Sequence, residues 1–295
     1  MMYQIKDWQD LTIQDDYMFK LIMSRKRICK KMLEKILRIS IDDLVYIEDE
    51  KSMKASYDSK GVRLDVYVKD DKHTVYNIEM QVRKPENEGL YKRTRYYQSM
   101  IDGDLLKAGV DYDELNPTYI IFICPFEPFH EGRHMYTFRN YCTEDKDIEL
   151  QDGTVKLFLN TKGTMDDVEP DVKAFLEYVD GVMSPDDFVQ EIDEAIRNVK
   201  MQESERVRYM TYTLKLKEER KIGHEAGFRE GMEKGMEKGM EKGLEKGLQK
   251  GTQKGKLETA LKMLRNGISM EIVLKCTNLP PSAIKEAAEK SGLQI

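Results

Sequence analysis

Between Pro117 and Pro125 the chain reads PTYIIFICP, a short continuous apolar run closed by a proline at each end. A strand with one solvated face alternates apolar with polar residues, whereas an unbroken run suits a strand covered on both faces. Cover is available from the segments around it. In DDYMFKLIMSRKRICKKMLEKILR, the residues Met18, Leu21, Ile22, Ile28, Met32, Leu33, Ile36 and Leu37 recur near helical spacing. This predicts one or two amphipathic helices between about Asp15 and Leu37. LVYIEDEK and the two halves of RLDVYVKDDKHTVYNIEMQVRK read as strands, and a long helix is expected from about Asn87 to Ala108. HMYTFRNYC and TVKLFLN read as further strands, and helical patterning returns from DVEPDVKAFLEYV to KEERK. Within that region, Ser184 and Pro185 mark a fresh helix start. The order of elements fits an α/β core with a mixed central sheet.

At 295 residues there is room for one large domain or two modest ones, each with its own core. The four cysteines form no CxxC pair, and the start MMYQIKDWQD lacks a basic region followed by an apolar core. The expected setting is a reducing cytoplasm. No apolar run approaches the roughly 18 residues that a membrane-spanning helix needs. The net charge of -6 excludes a uniformly basic coat for nucleic acid, but not a local groove. Two basic clusters stand out, Ser24 to Arg38 and Tyr91 to Tyr97; solvated helix faces are the simpler reading of both, with DNA contact as the alternative.

The hairpin between Arg63 and Lys84 raises a sharper question. Alternation places Asp65 with Arg63 and Tyr67 on one face of the first strand, opposite Val62, Leu64, Val66 and Val68. In the second strand Val75, Asn77, Glu79 and Gln81 share a face, opposite Tyr76, Ile78, Met80 and Val82. The short turn at DDKH pairs the strands, and in-register pairing brings Asp65 near Glu79. An edge hairpin with one solvated face accounts for these residues. So does a site in which two adjacent carboxylates share a divalent cation, with Gln81 binding its water or a phosphate oxygen.

RLDVYV and YNIEMQ resemble the core of the PD-(D/E)xK nuclease superfamily, and their surroundings are similar to its recombination-promoting nuclease/putative transposase branch. DDYMFKLIM, RTRYYQSMI, PTYIIFICP, YTFRNYC, VKLFLN and the glycine-punctuated tail carry the resemblance, in order, from about Asp15 to Gly255. It implies a restriction-endonuclease-like core in which Asp65, Glu79 and the main-chain carbonyl of Met80 bind Mg²⁺, with Mn²⁺ as a substitute. Gln81 stands where the superfamily pattern has Lys, and this branch commonly carries Gln there. Asp16 matches an early acidic position, as a third acid or a support for the other two. Lys92, Arg93, Arg95 and Gln98, on the helix after the hairpin, are the expected DNA contacts. The implied activity is Mg²⁺-dependent DNA endonuclease, tied to recombination, mobile elements or defence. The alternative is a DNA-binding or oligomeric scaffold with a nuclease-like fold and little catalysis.

Cys124, His130, His134 and Cys142 invite a zinc reading, but their gaps are wider than the compact pairs of structural sites. From Gly223 to Gly255 a glycine occupies every fourth position, as in GMEKGMEKGMEKGLEKGLQKG. Each glycine costs a helix about 0.8 to 1 kcal/mol relative to alanine, and the repeat sets like charges at i,i+4. A lone helix here is marginal, so the tract is either a flexible linker or an assembly segment. In the second case its Met/Leu stripe (Met232, Met236, Met240, Leu244, Leu248) packs on the glycines of a second copy. ISMEIVLKCTNLPPSAIKEAAE reads as two helices and a turn, the second opened by Ser282, with too few basic residues to favour DNA over packing or oligomerisation. The expected division is a nuclease-like domain over 1–222, a Gly-x-x-x tract over 223–255 and a small helical module over 256–295.

Overall fold

The computed structural model describes residues 5–54, 58, 60–84 and 89–293. Contacts divide the chain into two units, Met1–Thr213 and Leu214–Ile295. The first unit begins with helices α1 (Asp16–Met23) and α2 (Lys26–Leu37), followed by strands β1 (Leu44–Met53), β2 (Val62–Asp70) and β3 (Val75–Met80). Helix α3 (Gly89–Leu105) precedes β4 (Thr118–Cys124), β5 (Met135–Phe138) and β6 (Thr154–Asn160). Helices α4 (Pro170–Val179) and α5 (Asp187–Lys200) follow, and α6 runs from Glu203 to Arg265. The start of α3 expected at Asn87 lies outside the described residues.

The strand order is β1-β2-β3-β4-β6-β5, antiparallel from β1 to β3, parallel across β3, β4 and β6, and antiparallel again at β5. This is the mixed sheet of a restriction-endonuclease-like α/β fold. The apolar run between the two prolines is the central strand β4, with Ile120 to Cys124 all at 0% exposure, as a strand covered on both faces requires. On one side Ile121, Ile123, Val66, Val68 and Ile78 meet the apolar faces of α1, α2, α4 and α5. On the other, Ile120, Phe122, Leu64, Tyr67 and Phe158 meet Leu90, Tyr97, Met100 and Ile101 of α3. Each such fully buried side chain contributes roughly 1.5 to 3 kcal/mol.

Three local expectations change. The hairpin is not an edge with a wet face, because β3 lies between β2 and β4 and all six of its residues are buried. Nor do Val62, Leu64, Val66 and Val68 line one face: Val62 and Leu64 pack with α3, whereas Val66 and Val68 pack on the opposite side. The alternation of β2 therefore turns over at Asp65. At the same level of β1, between the ladder pairs Asp49↔Val66 and Lys51↔Leu64, Glu50 adopts a left-handed backbone with φ of 59°. Lastly, α5 is capped by Asp186, whose carboxylate accepts from the N–H groups of Phe188 and Val189, while Ser184 Oγ accepts from the N–H of Asp186.

Most of the basic cluster on and just after α2 is engaged in ion pairs with other parts of the fold. Arg27 and Lys31 pair with Glu191, Lys35 and Arg38 with Asp171, and Lys26 with Asp43. In the second unit, α7 (Met270–Thr277) and α8 (Pro281–Lys290) gather around Ala260, Val273 and Ile284. Helix α7 ends at a left-handed Asn278, and α8 begins at Pro281, one residue before the expected Ser282, because proline suits the first turn of a helix. The glycine tract is helical throughout, and every residue from 217 to 256 is exposed. Among the described residues no helix is long and apolar enough to cross a membrane.

Candidate active site

The site forms where β2 and β3 part company. Their ladder ends at Val66↔Ile78, and beyond it side chains take over the backbone's hydrogen bonding. The main-chain N–H of Asp65 donates to Glu79 Oε1 at 3.0 Å, and the N–H of Met80 donates to Asp65 Oδ2 at 3.2 Å. Each carboxylate thus takes the place of a ladder partner on the facing strand, which brings the two acids together and fixes both. The turnover at Asp65 adds a second effect. It leaves Asp65 at the boundary between the two core layers, in reach of α1 on one side and of the α3 layer on the other.

From the α1 side comes Lys20, 4% exposed on a helix whose other inward residues are Met18, Phe19, Ile22 and Met23. Its ammonium lies 2.7 Å from Asp16 Oδ1, 2.9 Å from Glu50 Oε1 and 3.5 Å from Asp65 Oδ1. Burial alone would lower its pKa, but Asp16 and Asp65 outweigh that and hold it above the usual lysine range. Asp16 is fixed further by the hydroxyl of Tyr212, on α6, which donates to its Oδ2 at 3.1 Å. From the α3 side comes Arg93, whose guanidinium donates to Gln81 Oε1 and lies 4.8 Å from the centre of the Phe122 ring. The Gln81 amide nitrogen donates to the carbonyl of Arg83.

Charges across the site follow an order: Asp16 and Glu50, then Lys20, then Asp65, then Glu79, then Arg93. Arg63 adds a positive charge near Glu50, Asp16 and Asp65, whereas Asp65 and Glu79 meet directly as two like charges. Burial is the largest influence on both acids and raises both pKa values; the Asp65 charge raises Glu79 further, and Lys20 offsets part of the rise at Asp65. Without a further positive charge, the pair holds a proton well above the ordinary carboxylate range.

The other expected residues are placed as follows. Lys92 and Arg95 are exposed on α3. Gln98 is turned inward, 8% exposed, with its amide nitrogen donating to Asp102 at 2.8 Å. His134 is held by Asp167, Cys142 contacts Glu144, His130 contacts Lys84, and Cys124 is buried in β4. Lys20 and Glu50 were not anticipated. A lysine four residues after Asp16, in the middle of an otherwise apolar helical face, was the available signal for the first. The backbone inversion at Glu50 leaves no mark in LVYIEDEK.

A family model for PD-(D/E)XK nuclease family transposases matches residues 13–163, just over half of the chain. The chain belongs to this family. No curated protein and no solved structure matches it. The matched stretch contains Asp16, Lys20, Glu50, Asp65, Glu79 and Arg93, along with the whole six-stranded sheet.

PD-(D/E)XK nucleases generally use divalent metals, and the residues of this family member fit one. The adjacent carboxylates of Asp65 and Glu79 meet at the parted end of β2 and β3, and both are raised in pKa by burial. Among the described residues, no group of three or more His, Cys, Asp or Glu side chains is placed to hold a metal ion. Two carboxylates suit an ion such as Mg²⁺, which keeps several waters and shares its remaining positions with substrate phosphate.

Proposed function

We propose that the chain is a divalent-metal-dependent DNA endonuclease, using Mg²⁺ and accepting Mn²⁺, that hydrolyses phosphodiester bonds in the cytoplasm. The observation that carries this reading is the contact of Asp65 with Glu79 at the parted end of β2 and β3. In it, Asp65, Glu79 and the carbonyl of Met80 hold the ion. When bound, the ion polarises the phosphodiester and lowers the pKa of the attacking water. Gln81, two residues after Glu79 and braced by Arg93, orients water or a phosphate oxygen through its amide. Lys92 and Arg95, exposed on the adjoining helix, neutralise backbone phosphates, which sets position without reading sequence. Asp16 serves the centre by holding Lys20.

The test is nicking and linearisation of supercoiled plasmid by the purified full chain, with Mg²⁺, with Mn²⁺ and with EDTA. Metal-dependent cutting that disappears in both Asp65→Ala and Glu79→Ala supports the endonuclease. Folded wild type that never cuts, but binds DNA as tightly as Asp65→Ala does, supports the scaffold instead. A specific observation favours an assembly role in addition to cutting. The Met/Leu stripe of the glycine tract is 64 to 78% exposed at Met232, Met236, Met240, Leu244 and Leu248, an unusual length of uncovered apolar surface. In this reading, copies of the chain associate through the tract and the C-terminal module, and sedimentation of the full chain over a wide concentration range checks it.

A further inference from the structure

A phosphodiester-cleaving centre gathers negative charge on the phosphate as the bond breaks, and a fixed positive charge nearby lowers that barrier. At position 81 this chain offers a neutral amide, and Arg93, the cation beside it, is occupied with Gln81 and with the Phe122 and Tyr97 rings. We propose that Lys20, brought in on α1 from the opposite side of the sheet, supplies the fixed positive charge of the centre and acts from behind Asp65. The proposal rests on the endonuclease reading above and goes on to assign a residue that the hairpin motif does not contain.

Three observations carry it. The Lys20 ammonium is 3.5 Å from Asp65 Oδ1, on a side chain buried beside the paired carboxylates. It is set with unusual care, because two further acids and the Tyr212 hydroxyl behind one of them fix its position. And one of those acids, Glu50, sits at φ of 59° within a strand, a conformation that a side chain with a Cβ adopts only when its surroundings impose it. A surface ion pair would not need that distortion. With its side chain 5% exposed, Lys20 does not touch DNA directly. It is a positioning residue that works through its charge, which acts over several ångströms.

If charge is the role, moving the charge should preserve the function. Lys20→Met is expected to lower kcat about a hundredfold, the order lost with one preorganised charge-stabilising donor, with KM for DNA unchanged. Gln81→Lys added to it is expected to recover at least about tenfold, because the ammonium then returns from β3. Calorimetric titration of Mn²⁺ without DNA supplies a readout independent of cutting. Removing a cation beside Asp65 should leave the metal affinity equal or tighter. A lysine that merely braced Asp65 would, once lost, weaken it. Lys20→Met/Glu50→Gln removes one positive and one negative charge together, and keeps the test open should the single variant fail to fold. For this double variant the same loss of kcat is expected, with metal affinity unchanged.

Cutting within about threefold of wild type by either folded variant would overturn the proposal. So would a tenfold loss of metal affinity in Lys20→Met, or no recovery on adding Gln81→Lys. Failure of the endonuclease reading is a different result, in which wild type itself does not cut.

Discussion

The nuclease unit and the glycine-repeat helix place their residues by opposite rules. In the first, polar side chains occupy a buried strand: the Glu79 carboxyl is 4% exposed and the Asn77 amide is fully buried, both on β3 in the middle of the sheet. In the second, methionines and leucines stand in water along α6 while nothing from 217 to 256 is buried. Each pattern costs free energy in its own unit. Two buried carboxylates side by side repel, and nine glycines in one helix cost several kcal/mol in total, at about 0.8 to 1 kcal/mol apiece. A residue set against its local preference points to what the isolated chain lacks. In the reading proposed above, that is a cation and a phosphate for β3 and a second apolar surface for the repeat helix.

The largest effect should come from the acids. Asp65→Ala or Glu79→Ala is expected to reduce plasmid cutting by about a thousandfold or more, while Met236→Ala leaves the rate of the same preparation within about twofold. Equal losses in both would break the contrast between a site and a tract. In stability the order reverses. Phe122→Ala, in the core against α3, should destabilise the nuclease unit by about 3 to 5 kcal/mol in urea titration, and Met236→Ala should leave that transition in place.

Smaller effects sharpen the comparison. An added Cβ at Gly235, Gly239 or Gly243 meets nothing within 4 Å, so alanine at each should raise helix stability by about 0.8 to 1 kcal/mol, read as helical circular dichroism on warming. If copies pack on the glycine stripe, the same triple variant associates more weakly by sedimentation. If the tract works alone, association does not change.

The pH dependence of stability concerns Glu79. Its folded-state pKa is raised, chiefly by burial and next by Asp65, so the stability linked to its proton is complete below the unfolded value of about 4.3. That stability is lost as pH rises through the folded value. In EDTA the melting temperature should therefore fall as pH climbs from acid through neutrality, and Glu79→Gln should flatten the slope. Added Mg²⁺ should oppose the fall, because it favours the ionised pair.

Much of this architecture could be read from the chain. The unbroken run at Ile120 to Cys124 made β4 a covered strand, and helical spacing from Met18 to Leu37 set α1 and α2. The meeting of Asp65 and Glu79 was legible from alternation and the short turn, but an edge hairpin explained the same acids equally well, and it was the family resemblance that singled them out. What stayed hidden depended on partners distant in sequence. Lys20 looks like any helix lysine until Asp65, Glu50 and the α6 hydroxyl of Tyr212 are placed around it. Alternation predicted the faces of β2 correctly only on each side of Asp65, because no local rule announces a strand that changes face. The basic residues around α2 read as a solvated helix face, with DNA contact as the alternative, because their acidic partners lie more than a hundred residues later, at Asp171 and Glu191.

The most direct test of the central claim is calorimetric titration of Mg²⁺ and Mn²⁺ into the full chain without DNA, beside Asp65→Ala and Glu79→Ala. Saturable binding of wild type, lost in each variant while both keep their folded circular dichroism, is the predicted result. Binding that survives in both variants, or wild type that binds neither ion, would contradict the assignment of the parted hairpin as a metal centre.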